Sequence, residues 1–130
     1  MGKAYPFFMF TNCMAEEAVN LYKEIFNDVK IENIIRWEGN NPMGPAGKIM
    51  DLHFTIKGTT FRFMDSTGHD HSLTPSTSIF VKCNDEAELR KAHKMLADGG
   101  FELVGLGENP FAEMYCWVQD KFGLTWQLSL

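Results

Sequence analysis

Long apolar runs, paired cysteines, clustered basic residues and phosphate-cradling glycine loops are all missing from this 130-residue chain. No uncharged apolar stretch approaches the roughly 20 residues that a membrane-spanning helix needs. The early Lys3 is followed by a short Phe-rich run and then by Asn12, Glu16 and Glu17, which is not the continuous apolar core of a secretory leader. Neither membrane insertion nor export is expected. The cysteines, Cys13, Cys83 and Cys116, are three in number with no close pair. That argues against a disulfide framework and suits a reducing compartment, so the expected location is the cytoplasm. The 12 basic residues are scattered, and the formal charge is −5. A protein that follows a phosphate backbone gathers Lys and Arg on one surface, so no nucleic-acid partner is expected. Gly99-Gly100 follows a predicted helix and precedes a predicted strand, the reverse of a phosphate-binding turn, and Gly44-x-x-Gly47 has no better spacing. No nucleotide, flavin or methyl-donor cofactor is therefore assigned.

What is present is a globular composition: 45% hydrophobic and 22% charged residues, with 11 phenylalanines, three tryptophans and eight methionines. A chain of this length forms one domain, residues 1–130, that buries roughly two thirds of its unfolded surface without metal or disulfides. The aromatic surplus leaves apolar surface for a pocket or an interface.

Tyr5 to Thr11 reads as a strand covered on both faces. The period then changes: Ala15, Ala18, Val19, Tyr22, Ile25 and Phe26 recur at three and four residues and predict an amphipathic helix ending near Asn27-Asp28. Val29 to Trp37 is the next strand, before a Gly/Pro/Asn loop over 38–47. A hairpin turning at Lys57-Gly58 follows. Its first strand puts Met50, Leu52, Phe54 and Ile56 on one face and Asp51, His53 and Thr55 on the other; its second opposes Phe61 and Phe63 to Thr60, Arg62 and Met64. Past a loop to Pro75, Ser76 to Cys83 is a strand. Asp85 with Glu88 predicts a capped helix whose inward side carries Leu89, Ala92, His93 and Leu96. Phe101 to Leu106, Phe111 to Gln119 and the tail beyond the Asp120 to Gly123 turn complete the strands. In that tail Leu124, Trp126, Leu128 and Leu130 alternate with Thr125, Gln127 and Ser129.

The order of strand, helix and three strands thus occurs twice, over 5–65 and 76–130. Together with Phe7-Phe8-Met9-Phe10, Ala15-Glu16-Glu17-Ala18-Val19-Asn20-Leu21-Tyr22, His53-Phe54-Thr55-Ile56-Lys57-Gly58, Ser78-Ile79-Phe80-Val81 and the stretch from Trp117 to Gln127, it resembles the vicinal oxygen chelate (VOC) superfamily of glyoxalases, bleomycin-resistance proteins and dioxygenases. The nearest resemblance is to the branch named after a demethylubiquinone methyltransferase and a phosphonate-operon-associated protein. It implies an α+β fold of paired βαβββ modules, in which a curved eight-stranded mixed sheet surrounds a cavity, with the helices outside and the chain in a homodimer. In metal-dependent members the ligands come from the first and last strands of each module. Here those places offer Phe7 to Phe10, then Met64 or Asp65, Thr77 or Ser78, and Gln127. Of these only Gln127 is of a usual ligand type at the usual place. One amide with hydroxyls and a thioether is a poor donor set for zinc, manganese or iron, so no metal is assigned.

His53 is the candidate catalytic acid or base, its alternative being a structural histidine bonded to a neighbouring strand or at a dimer contact. Asp51 is a candidate to orient it, although strand spacing alone does not bring side chains two residues apart into contact. Arg62 either holds an anionic ligand or faces solvent. Met64, Thr125, Gln127 and Trp37 complete the candidate ligand-binding set, Trp37 with Met43 as a cap on the cavity mouth or a dimer contact. Trp126 is read as core, Cys116 as a buried thiol, and His69-Asp70-His71 as a polar loop. Three functions remain open: a metal-independent homodimer binding a small, partly apolar molecule; a lyase, isomerase or dioxygenase holding metal through His53, Asp65 or Gln127; and a structural or regulatory dimer.

Overall fold

A computed structural model describes residues 1–110 and 112–130; Phe111, expected as the first residue of a strand, lies outside them. The elements run β1 (Phe7–Phe10), α1 (Ala15–Ile25), β2 (Val29–Arg36), β3 (Ile49–Ile56), β4 (Thr59–Asp65), β5 (Ser78–Lys82), α2 (Glu86–Ala97), β6 (Phe101–Asn109), β7 (Ala112–Gln119) and β8 (Thr125–Ser129). The chain divides into two compact units, 1–72 and 73–130. Each is one βαβββ module. The strands hydrogen-bond as two four-stranded mixed sheets, β1-β4-β3-β2 and β5-β8-β7-β6. This corrects the expectation of one continuous eight-stranded sheet. Period-2 alternation assigns faces within a strand; it says nothing about which strand edges bond.

In the first unit β1 lies parallel to β4, while β3 pairs antiparallel with both β4 and β2. The expected helix periodicity is realised, with Ala15, Ala18, Val19, Tyr22 and Ile25 all buried. Phe8, Phe10, Leu52, Phe54, Phe61 and Phe63 supply the apolar side of the sheet. Phe10 and Phe54 meet Phe63 edge-on, both within 5 Å between centroids, a geometry that aromatic quadrupoles prefer to a face-to-face sandwich, while Phe54 and Phe61 stack at 5.6 Å. Two expectations need correction. β1 is an edge strand, and only one of its faces is covered: Phe8 and Phe10 are buried, while Phe7 is 51% exposed. At the base of β3 the fully buried residue is Ile49, and Met50 is half-buried. A register shift between Ile35 and Arg36 of β2 accounts for this, because a bulge offsets the alternation by one residue.

The second unit repeats the plan, with β5 parallel to β8 and the β6-β7-β8 run antiparallel. α2 buries Leu89, Ala92 and Leu96. The Asp85 carboxylate accepts from Glu88 N at 2.8 Å, as the capping pair predicts. The return bond goes one residue further out than in the usual box, from Asn84 N to Glu88 Oε1. Gly99, at φ +72°, ends the helix in a conformation disfavoured for other residues, and at Gly100 a Cβ would overlap the Gln119 carbonyl. The β6-β7 hairpin is longer than expected, because β6 runs on to Asn109 through three register shifts.

Candidate functional site

Each sheet has one face covered by its helix and one open face. On the first, cross-strand register sets His53 of β3 directly opposite Arg62 of β4, with Asn33 of β2 on the other side of His53 and Phe7 of β1 beside Arg62. Asp51 completes the group. His53 Nε2 lies 3.0 Å from Asp51 Oδ2, a contact that alternation alone does not require. Arg62 grips the same carboxylate twice, Nε to Oδ1 at 3.1 Å and NH2 to Oδ2 at 3.0 Å. Fork-on-carboxylate pairing of this kind fixes geometry as well as charge. The three side chains are part-buried, and the Tyr5 ring stands 6.2 Å from the imidazole. Met64, two residues after Arg62 and so on the same face, is also half-buried.

On the open face of the second sheet, Gln127 is spent on its own neighbours. Tyr115 OH donates to Gln127 Oε1 at 2.6 Å, and Gln127 Nε2 donates to Ser78 Oγ at 2.8 Å. Thr125 is fully buried, its hydroxyl donating to the Thr77 carbonyl. Around them Phe80 (57%) and Phe101 (63%) are the most exposed aromatic residues among the described residues of the unit. Trp117, opposite Gln127, keeps a buried Nε1 with no hydrogen-bond partner among the described residues. Tyr115 was not singled out in the sequence, and Ser78 entered there only as one of two residues at a ligand place of the family. The register between strands, which brings them to Gln127, is the signal that alternation within one strand lacks.

The remaining candidates take structural places. Trp37 is buried, and its indole N–H donates to the Asp65 carbonyl at 2.7 Å. Gly44 lies so close to that indole that a Cβ would fall inside the ring. Met43 is held from the other side, its carbonyl accepting from Ser66 Oγ and Thr67 N. The 38–47 loop is thus pinned to the end of β4. Trp126 is core, its N–H bonded to Asp120. Burial pushes the Cys116 thiol up to about 12, with smaller contributions from Cys83 and Glu102. His93 Nε2 contacts the Glu102 carboxylate across α2 and β6. The His69 and His71 rings stack 5.6 Å apart in their loop.

A metal centre of the kind the resemblance describes does not fit these residues. Asp65, at the end of β4, turns both carboxylate oxygens to backbone: Oδ1 accepts from Ala15 N at 2.9 Å and Oδ2 from Ile49 N at 3.0 Å. Its carboxyl is raised above the usual range by burial, against the lowering effect of those two bonds. Gln127 has both amide atoms engaged, and the first strand contributes hydrocarbon and a thioether. Among the described residues no group of three or more His, Cys, Asp or Glu converges to hold an ion.

Paired βαβββ units with these open faces are the glyoxalase and bleomycin-resistance architecture. The chain belongs to the family described as 3-demethylubiquinone-9 3-methyltransferase, whose model matches residues 2–129. A Bacillus cereus PhnB protein named for the same methyltransferase is 37% identical, superposes with a TM-score of 0.90, and is matched over 99% of each chain. A Pseudomonas aeruginosa protein shares the fold at 22% identity and a TM-score of 0.82, over 99% of this chain and 97% of that one. So does a glyoxalase/bleomycin-resistance protein of Albidiferax ferrireducens, at 10% identity and 0.64, over 98% and 96%. Among curated proteins none matches.

Proposed function

We propose that this chain is a metal-independent VOC-fold protein that binds a small, partly apolar molecule and works as a cytoplasmic homodimer. One observation carries the reading: Asp65 and Gln127, the best metal donors at the family's ligand positions, are fully engaged within the protein. What is left on the open faces is hydrogen-bonding side chains among apolar ones, the usual lining of a small-molecule site. His53, Arg62 and Met64 offer ligand contacts on one face, and Gln127 on the other. Thr125 and Trp37 support the strand and the loop beside them. The methyltransferase in the family description is not carried over, since the paired glycines serve a helix end. No helix among the described residues is long and apolar enough to cross a membrane.

Metal analysis of protein purified without added ions tests the reading. The expected content is below about 0.1 ion per chain, with ligand binding unchanged by chelators. Stoichiometric zinc, manganese or iron, removed by chelation together with binding, would favour the lyase, isomerase or dioxygenase alternative. Sedimentation checks the dimer.

A further inference from the structure

The Asp51-His53-Arg62 group does more than offer polar contacts. A carboxylate accepts hydrogen bonds, so the imidazole nitrogen 3.0 Å from Asp51 Oδ2 is the one that carries the proton. With Nε2 protonated, the neutral ring has its lone pair on Nδ1. That atom has no hydrogen-bond partner among the described residues. Arg62 keeps Asp51 from turning away by holding both of its oxygens. Its NH1, with no partner among the described residues, and the second N–H of NH2 are left to donate elsewhere. Because His53 and Arg62 are direct cross-strand neighbours, the free base and the free donors lie about one residue spacing apart on one open face. Phe7 and Tyr5, 51% and 39% exposed, provide apolar surface beside them.

We propose that this group is an acid–base site for small carbonyl compounds with a hydrogen on the adjacent carbon. The carbonyl oxygen faces the free N–H groups of Arg62, and the C–H faces His53 Nδ1. His53 takes the proton; the C–H electron pair becomes the new C=C bond, and the carbonyl π pair moves to oxygen. The enolate oxygen is then stabilised by Arg62, in the role that oriented donors play toward developing negative charge. Return of the proton from His53 to carbon restores the carbonyl, so the cycle needs no oxidant, reductant or metal. Asp51 and Arg62 position the base, and Asp51 also stabilises the imidazolium that forms.

The inference rests on the binding function proposed above, and the experiment separates the two. Protein in D2O is incubated with 2-oxobutanoate, acetoacetate or hydroxyacetone, and loss of the α-proton signal is followed by NMR. Exchange is expected to exceed that with an equal concentration of free imidazole by about 100-fold for at least one probe. His53→Gln removes the excess, while Asp51→Asn lowers the turnover rate more than it raises KM. Folding of each variant is checked by its amide spectrum. The nitrogen spectrum of unmutated protein is a second reading independent of any variant: a proton on His53 Nε2 and none on Nδ1 is expected. The opposite tautomer overturns the proposal, as does exchange no faster than free imidazole with all three probes, or excess exchange that survives in His53→Gln. Probe-induced amide shifts around β3 and β4 without exchange sink the acid–base site and leave the binding function standing. Exchange that depends on stoichiometric metal sinks the metal-independent function as well.

Discussion

Cys116 sits where β7 faces α2, fully buried, and its thiol is held near 12 chiefly by desolvation. An unfolded cysteine ionises near 8.5, so above that pH the unfolded chain has released a proton that the native chain retains. Stability therefore falls as pH rises between about 8.5 and the folded value. This one group contributes a slope of about 1.4 kcal/mol per pH unit. Urea midpoints measured from pH 7 to 10 should fall more steeply for the unmutated protein than for Cys116→Ala. Gln127 makes a different prediction. Its replacement by Leu strands the hydroxyls of Tyr115 and Ser78, and because both lie on a part-exposed face the expected loss is about 1 kcal/mol. A loss above about 3 kcal/mol would mean that the face is far drier than its exposure indicates. Alternation in the sequence finds the face Gln127 occupies, but the partners come from β5 and β7, at separations no local pattern encodes. The direct contact between Asp51 and His53, both candidates from the sequence, was not readable for a related reason: strand pitch gives the backbone spacing, while side-chain length and rotamer close the remaining gap.

At the level of single elements, both helices were legible because an apolar stripe facing a sheet leaves a period of 3.6 whatever it packs on, although α1 ends at Ile25 and not near Asn27-Asp28. Their starts are built differently. α2 carries its cap in the local sequence, and Asp85→Ala should cost about 1 kcal/mol, read from the urea midpoint. α1 has none, since Met14 makes no side-chain cap bond. Its first N–H is met from β4 by Asp65, 50 residues away. No reading of the Met14 neighbourhood reveals that. The 38–47 loop is likewise shaped by distant contacts, with Gly44 under the Trp37 indole and the indole N–H on the Asp65 carbonyl. Gly44→Ala should destabilise by about 1–3 kcal/mol through overpacking and speed proteolytic cutting within the loop. If cutting is unchanged, the indole does not hold the loop.

For the molecule as a whole, two modules in one order were readable because each repeats the same change of period from two to 3.6 and back. The grouping of eight strands into two sheets was not, since it depends on which edges find partners. Charge gives a prediction at this scale. The net −5 vanishes near pH 5.3, and with repulsion removed the exposed rings of Phe7, Phe80 and Phe101 are free to associate. Light scattering should peak near that pH, and Phe80→Ser with Phe101→Ser should lower the peak. Equal scattering would assign the association to other surfaces.

Asp65 makes a metal centre hard to build at the end of β4. In the bleomycin-resistance architecture the end of β4 is a place from which an ion can be held, but here the carboxylate is what joins the first turn of α1 to the start of β3. Designing a binding site into this position means first giving α1 another beginning, with a serine or aspartate in place of Met14. Substituting histidine for Asp65 alone would trade the anchor of a helix for a single ligand.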